Sequence, residues 1–451
     1  MYQIIKSGGS VTYRDHCENR SLSLRRENLL GLFAGKNPPA LEDESVYTES
    51  LCRPVSGDRL SDIARGKKAK TAAILISDAT RNVPTPKVAG RLVQELLRGG
   101  LAPEGITFFV ALGVHRPASD DEIRGFVGDE VFTCGAHVRN HDAFDESNLV
   151  DLGHTSRNTP IRLNRAAFDC DVKITVGKVE LHEMAGFSGG RKSVLPGIAA
   201  AETIAVNHRP EMIFNPGTGA GKLEGNPIHE DMLEVARRFG VDFSVNFVVN
   251  DTGQPAAVFA GGLEESHLAA VRHLRGYCTV TLPRRADILV APPGIPLNCD
   301  MYQGVKAIIA LQHILDGNSV VIFYGDFPEG MNSRDFMEPF RLFPDDLDRA
   351  REYAWNHFAI QMDHTLPMID ILKKGVRILA VTDTVPRQDI ALLRMHWCGS
   401  LDEALDRAYA MTSRQAEVAF LPQPWRSIIT EHPDRRDPCH LRQKPEREAA
   451  R

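Results

Sequence analysis

The stretch Ala72-Ala73-Ile74-Leu75-Ile76, the segment from Pro86 to Arg98 and the stretch Ile106-Thr107-Phe108-Phe109-Val110 decide the fold. The two short apolar runs are bounded by turn residues and read as buried strands. Between them Val88, Leu92, Val93, Leu96 and Leu97 fall on one helical face, and Gly99-Gly100 marks the end of the helix. Strand, helix and strand in this order form a βαβ unit. Runs at Val172 to Val176 and Asn246 to Val249 read as further strands. After Tyr277 the pattern restarts, with strands at Ile288 to Ala291, Val320 to Phe323 and Ile378 to Val381, and helices near Val305 to Leu315, Asp346 to Phe358 and Leu401 to Met411. The expected fold class is α/β: two α/β domains with mainly parallel sheets and an active-site cleft between the domains. The N-terminal domain is expected over residues 1–275 and the C-terminal domain over 285–425. Residues 431–451, rich in charge and proline, are expected to be disordered.

At 451 residues and 43% hydrophobic the chain can bury a substantial core. Its 53 basic and 59 acidic residues give a net charge of -6, so there is no basic footprint for nucleic acid, and small anions must be held by local positive groups. The eight cysteines, at 17, 52, 134, 170, 278, 299, 398 and 439, contain no Cys-x-x-Cys pair and are expected to be free thiols of a reducing cytosol. The first residues lack an apolar signal region and no run is long enough to span a bilayer, so the expected location is cytoplasmic, without a membrane partner.

Strand ends place the chemistry. Ser77-Asp78-Ala79-Thr80-Arg81 follows one apolar run and Gly113-Val114-His115 follows another, at carboxyl ends where open α/β sheets bind ligands. Tyr302-Gln303-Gly304-Val305-Lys306 follows a run of the second domain, so the expected cleft is lined from both sides. The densest segment is Leu181-His182-Glu183-Met184-Ala185-Gly186-Phe187-Ser188-Gly189-Gly190-Arg191-Lys192, then Pro196-Gly197 and Asn207-His208. Its Gly and Ser backbone N–H groups are expected to form an anion-binding nest, beside a lysine amine and imidazoles. Walker A spacing and the Gly-x-Gly-x-x-Gly pattern are both absent. From residue type alone, Lys192 is either a reactive amine or a phosphate-binding charge, and His208 either a metal ligand or an ordinary helix-terminal residue. For Pro196 and Gly197, turn chemistry alone is a sufficient alternative to a site role. His137, His154, His229 and His364 read as structural, and His141-Asp142 as a pair able to support a site from behind.

These motifs, in this order, resemble the lactate racemase family, whose members carry a nickel-pincer nucleotide. The resemblance rests on the His, Gly-Phe-Ser-Gly-Gly, Lys, Pro-Gly and Asn-His series. It also rests on Ser77 to Pro84, Ala111 to Pro117 and Met301 to Lys306, spanning roughly residues 70 to 310. It implies a racemase or epimerase of a 2-hydroxy acid in which a histidine removes the hydroxyl proton while the Cα hydride moves to the cofactor and returns to the other face. His115 and His182 would be the acid-base pair. Lys192 would be joined covalently to the pyridinium ring through a thioamide, which needs the free amine; burial and a neighbouring positive charge favour that state, and Arg191, adjacent in sequence, can supply such a charge. His208 would bind nickel, the cofactor bringing the other ligands. Asp78, Thr80, Ser188, Gly189, Gly190, Pro196 and Gly197 would contact or shape the cofactor site. Arg81, Tyr302, Gln303 and Lys306 would hold the substrate and its carboxylate. Implied partners are the 2-hydroxy acid and the proteins that make the cofactor and insert nickel; an oligomer is also compatible. Two alternatives stay open: 2-epimerisation of a larger sugar acid (an aldonate), and non-catalytic carriage of nickel or nucleotide.

Overall fold

The computed structural model describes residues 2–431. The expected disorder of the tail falls on residues 432–451, outside the described residues; Glu431 itself ends a strand, Ile428–Glu431. The chain divides into two compact units: a larger one of residues 35–278 and 355–363, and a smaller one of residues 2–34, 279–354 and 364–431.

In the larger unit a six-stranded sheet runs in the order Pro255–Gly261, Phe243–Val249, Val172–Lys178, Ala72–Ser77, Ile106–Ala111, His137–Asn140. Only the Pro255–Gly261 pairing is antiparallel. The βαβ unit is where the sequence puts it. Ala72–Ser77 pairs in parallel with Ile106–Ala111, and the crossover helix spans Pro86–Arg98 with proline in its first turn and Gly99 as its cap. Its Val88, Leu92, Val93 and Leu96 are buried against the sheet. Strands outrun their apolar stretches, because ladder hydrogen bonds come from the backbone whatever the side chain. Ser77, Ala111, Gly177 and Lys178 are strand residues for this reason, and polar groups arrive at the carboxyl ends. The strand expected at Asn246 begins at Phe243. Ser244 and Asn246 interrupt its apolar pattern yet are wholly buried, since Asn246 Nδ2 donates to Ser244 Oγ and Ser266 Oγ, both at 3.0 Å.

The smaller unit has an all-parallel six-stranded sheet, in the order His396–Cys398, Arg377–Val381, Val320–Tyr324, Ile288–Val290, Val418–Phe420, Leu29–Leu32. Here the domain boundaries expected from sequence need correction, because residues 2–34 belong with the C-terminal part. Leu29–Leu32 forms an edge of that sheet beside Val418–Phe420. The antiparallel meander Tyr2–Ser7, Ser10–Asp15, Arg20–Arg25 buries Val11, Tyr13, Leu22 and Leu24 in the same core. The larger unit in turn recovers residues 355–363, where Trp355 and Phe358 pack on Phe214 with ring centroids 5.8 and 5.9 Å apart.

The helix expected over Val305 to Leu315 is also broken. Met301–Gly304 and Lys306–Ile309 are single helical turns, followed by tight bonds from Leu311 N to Ile308 O and from Ile314 N to Leu311 O. The apolar spacing does bury Val305, Ile308, Leu311 and Ile314. Periodicity reports burial, and β-branched residues weaken the continuous helix. The seven cysteines among the described residues are free thiols, and no helix among them is long and apolar enough to cross a membrane.

Candidate active site

A cavity of about 300 Å³ lies in the larger unit, and its wall includes Asp78, Arg81, His115, His182, Lys192 and His208. Ser188, Gly189, Pro196 and Gly197 also line it, whereas Thr80 and Gly190 do not.

Asp78 follows strand Ala72–Ser77 and caps the turn Ala79–Arg81. One carboxylate oxygen accepts from Thr80 Oγ1 at 2.6 Å, and the other lies 2.6 Å from Nδ1 of His115, which follows strand Ile106–Ala111. The ring donates its Nδ1 proton to the carboxylate, leaving Nε2 as the lone-pair nitrogen and fixing the tautomer of a base. Thr80 Oγ1 in turn accepts from Arg81 Nη1 at 3.1 Å.

His182 ends the two-residue strand Leu181–His182, which pairs with Gly186–Phe187. Its Nδ1 accepts the backbone N–H groups of Met184 and Ala185, both at 3.2 Å. An accepting nitrogen carries no proton, so the ring proton is on Nε2, and Nε2 faces Nζ of Lys192 at 3.2 Å. An N–H can bond to that nitrogen only when it has a free pair, which an ammonium lacks. Electrostatics agree: burial first, then Arg191 and Arg81, push the Lys192 amine down to about 7. Burial followed by the Lys192 charge drives His182 well below its ordinary value.

His208 caps helix Ala201–Asn207. Its Nδ1 donates to the Ile204 carbonyl at 3.0 Å, and burial first, then Lys192, lowers the imidazole to about 4. A neutral ring with Nδ1–H anchored on a carbonyl presents Nε2 as a metal donor.

Two amides of the glycine-rich turn are engaged within the protein: Gly190 N donates to Asn246 Oδ1 at 2.9 Å and Ser188 N to the Glu180 carbonyl at 2.9 Å. The Ser188 hydroxyl is likewise internal, donating to Lys178 O at 2.8 Å and accepting from Glu180 N at 3.0 Å. Gly189 is required here: φ is +86°, and a Cβ would lie 2.7 Å from Val179 Cγ2 and 2.9 Å from Asn246 Oδ1. At Gly197 a Cβ would meet the Ser193 carbonyl at 2.2 Å.

Tyr302, Gln303 and Lys306 lie in the smaller unit, after strand Ile288–Val290. Asp300 holds their first turn by accepting Gln303 N at 2.6 Å. His364, which reads as structural, lies against Tyr302 with ring centroids 4.5 Å apart. His141 is buried, with Nε2–H donating to Ala199 O at 3.0 Å and Nδ1 accepting from Asn164 at 3.2 Å. Asp142 accepts the N–H of Phe144. Sequence reasoning missed Lys178, Glu180 and Glu183 on the cavity wall, the first two an ion pair at 2.9 Å. Lys178 ends a parallel strand, so the strand-end rule that found Asp78 and His115 also finds it. Among the described residues no three His, Cys, Asp or Glu side chains come together as a metal site.

The buried imidazoles predict a pH dependence. Burial, followed by Arg191, lowers His229 to about 3 and holds His267 well below its usual range. The unfolded chain protonates these rings near pH 6.5 while the fold keeps them neutral, so the unfolded state binds more protons and stability falls as pH drops through 6.5. For His229 the loss continues to about pH 3. Each such ring contributes a slope of ~1.4 kcal/mol per pH unit. Urea midpoints measured between about pH 7 and pH 5 should decline steadily; a flat profile would contradict neutral burial.

Fold and site together define an α/β enzyme with an amine and imidazoles gathered in one cavity at the carboxyl ends of a mainly parallel sheet. Residues 16–221 match the lactate racemase N-terminal domain and residues 282–429 the lactate racemase C-terminal domain. The chain is 30% identical over 389 residues to the lactate racemase of Lactiplantibacillus plantarum, covering 85% of this chain and 90% of that protein. It is 28% identical over 413 residues to the lactate racemase of Thermoanaerobacterium thermosaccharolyticum, covering 90% and 95%. The solved lactate racemase apoprotein from that second organism aligns with a TM-score of 0.80 at 27% identity, over 91% of this chain and 97% of the other. The chain belongs to the lactate racemase family, and it is an isomerase.

Proposed function

We propose that this isomerase racemises or epimerises a 2-hydroxy acid with a nickel-pincer nucleotide attached to Lys192. The observation that carries the reading is one cavity holding an amine lowered to about 7, an imidazole anchored through Nδ1 and a carboxylate-oriented histidine. The residues suit the group. A free amine can form a thioamide, and the neutral His208 Nε2 can complete a metal site whose other ligands the nucleotide brings. When bound, the group supplies the hydride acceptor and donor for the Cα hydrogen.

The chain's own residues do the rest. Nε2 of His115 takes the hydroxyl proton of one enantiomer, and Asp78 stabilises the imidazolium that results. His182 is the acid-base group for the other enantiomer, a role that requires its ring to leave the tautomer it holds against the free Lys192 amine. Arg81 grips the carboxylate, with Tyr302, Gln303 and Lys306 as further substrate contacts. Ser188, Gly189, Gly190, Pro196 and Gly197 shape the turn that presents Lys192. Carriage of the nucleotide alone would give the Asp78–His115 pair no role. The reading also takes the cytoplasm as location, and proteins that build the nucleotide and insert nickel as partners.

Loaded protein incubated with a panel of chiral 2-hydroxy acids in deuterated water tests it. Inversion with the Cα hydrogen largely retained is the expected result. Inversion with full deuterium uptake would replace hydride transfer by proton abstraction, and no inversion of any acid would refute the racemase reading.

A further inference from the structure

Arg191 precedes Lys192 on the turn Gly190–Ser193 and is 1% exposed. Its Nη2 donates to the carbonyls of Ala185 at 2.9 Å and Phe187 at 2.8 Å. Nη1 reaches Ser188 O at 3.4 Å and Gly189 O at 3.3 Å, and lies 2.8 Å from Nε2 of His267. Nε has no hydrogen-bond partner among the described residues, and no carboxylate there pairs with the guanidinium. Burial lowers it to about 9, which leaves it charged at neutral pH. His267 and His229, stacked with centroids 6.3 Å apart, are kept neutral by burial and by Arg191 itself, so neither supplies a compensating charge. Packing does not account for this residue, since an apolar side chain of similar volume would fill the space without desolvating a charge.

We propose that Arg191 is a positioning residue for Lys192: it gathers the 185–189 carbonyls into the turn that presents the lysine, and its uncompensated charge keeps the amine in its unprotonated, nucleophilic form. The proposal rests on the reading of Lys192 as the attachment residue and adds what makes that lysine reactive. The groups around the amine divide as follows. Arg191 and Arg81 disfavour the ammonium, Glu183 and Glu180 favour it, and His182 and His208 are neutral. Burial is the largest influence and acts in the same direction as the arginines. The carbonyl bonds of Arg191 fix where its charge sits, so geometry and charge are one device.

The test uses the full apo chain and the N-hydroxysuccinimide ester of acetic acid. In that reaction the new N–C bond forms as N-hydroxysuccinimide leaves and the amine proton passes to water. Acetylation of Lys192 is followed by peptide mass spectrometry across about pH 6 to 10. The wild-type profile should inflect at about 7, far below the surface lysines at about 10.4. Arg191→Met should raise the inflection by about a unit or more, slowing acetylation at neutral pH on the order of five- to tenfold. Arg191→Lys replaces the guanidinium by an amine that the same burial discharges near neutrality, and removes the fork that spans four carbonyls, so it should raise the inflection as well. A wild-type Lys192 that titrates with the surface lysines overturns the proposal, as does a folded Arg191→Met chain with an unchanged inflection. If Arg191→Met does not fold, the wild-type and Arg191→Lys profiles decide, and an unchanged inflection in the latter overturns the proposal. Failure of the attachment reading is seen separately, as a covalent adduct that survives Lys192→Ala in protein from a cofactor-making host.

Discussion

Lys192→Ala is expected to abolish covalent retention of the nucleotide entirely, read as loss of the adduct from the intact mass of protein produced in a cofactor-making host. Lys178 is the other amine on the cavity wall, and it is tied into an ion pair with Glu180 at 2.9 Å, so it is a poor substitute nucleophile. The His182 contact points the same way. A ring whose Nδ1 already accepts two backbone N–H groups can offer only an N–H to Lys192, and this pairing stabilises the free amine. His208→Ala separates attachment from metal binding: the adduct mass should remain while nickel content falls, because the organic group is held through Lys192. Persistence of the full adduct in Lys192→Ala would remove the lysine from its assigned role.

His115→Ala and His182→Ala should each leave the adduct in place and lower racemisation by roughly 100-fold or more, the scale of losing a positioned acid-base group. One active site must handle protons on both faces of the reacting carbon, so either loss should stop interconversion in both directions. Asp78→Asn keeps the shape but removes the charge that supports the His115 imidazolium, and its rate should fall between wild type and His115→Ala. Near wild-type racemisation by either fully loaded histidine variant would end the two-histidine mechanism for this protein.

Much of this was legible in the sequence where local rules suffice. Helix Pro86–Arg98 carries its own start, face and stop, and strand-end placement brought out Asp78, Arg81 and His115. Motif spacing put His182, Lys192 and His208 on one cavity wall. What escaped depends on partners distant in sequence. Gly190 N–H looks like an open anion donor until Asn246 takes it, and Asn246 lies on another strand. The Asp78–His115 bond joins the ends of two strands, and neither motif alone names the other as partner. The helix near Val305 fails for the converse reason: its burial pattern is genuine, but burial does not specify which carbonyl each N–H will find.

The pairing of Leu29–Leu32 with Val418–Phe420 carries a consequence for synthesis. A ribosome releases the first of these strands long before the second exists, so the edge it will complete stays open while residues 35–278 emerge. Contacts so far apart along a chain form slowly, and an unpaired strand invites association with other nascent chains until they do. The larger unit behaves as an insertion that can close first, inside a smaller unit that must wait for its last strand. Anyone dissecting this protein into halves should therefore graft residues 2–34 onto the C-terminal fragment, since a fragment starting at residue 279 lacks one strand of its sheet and the meander that covers it.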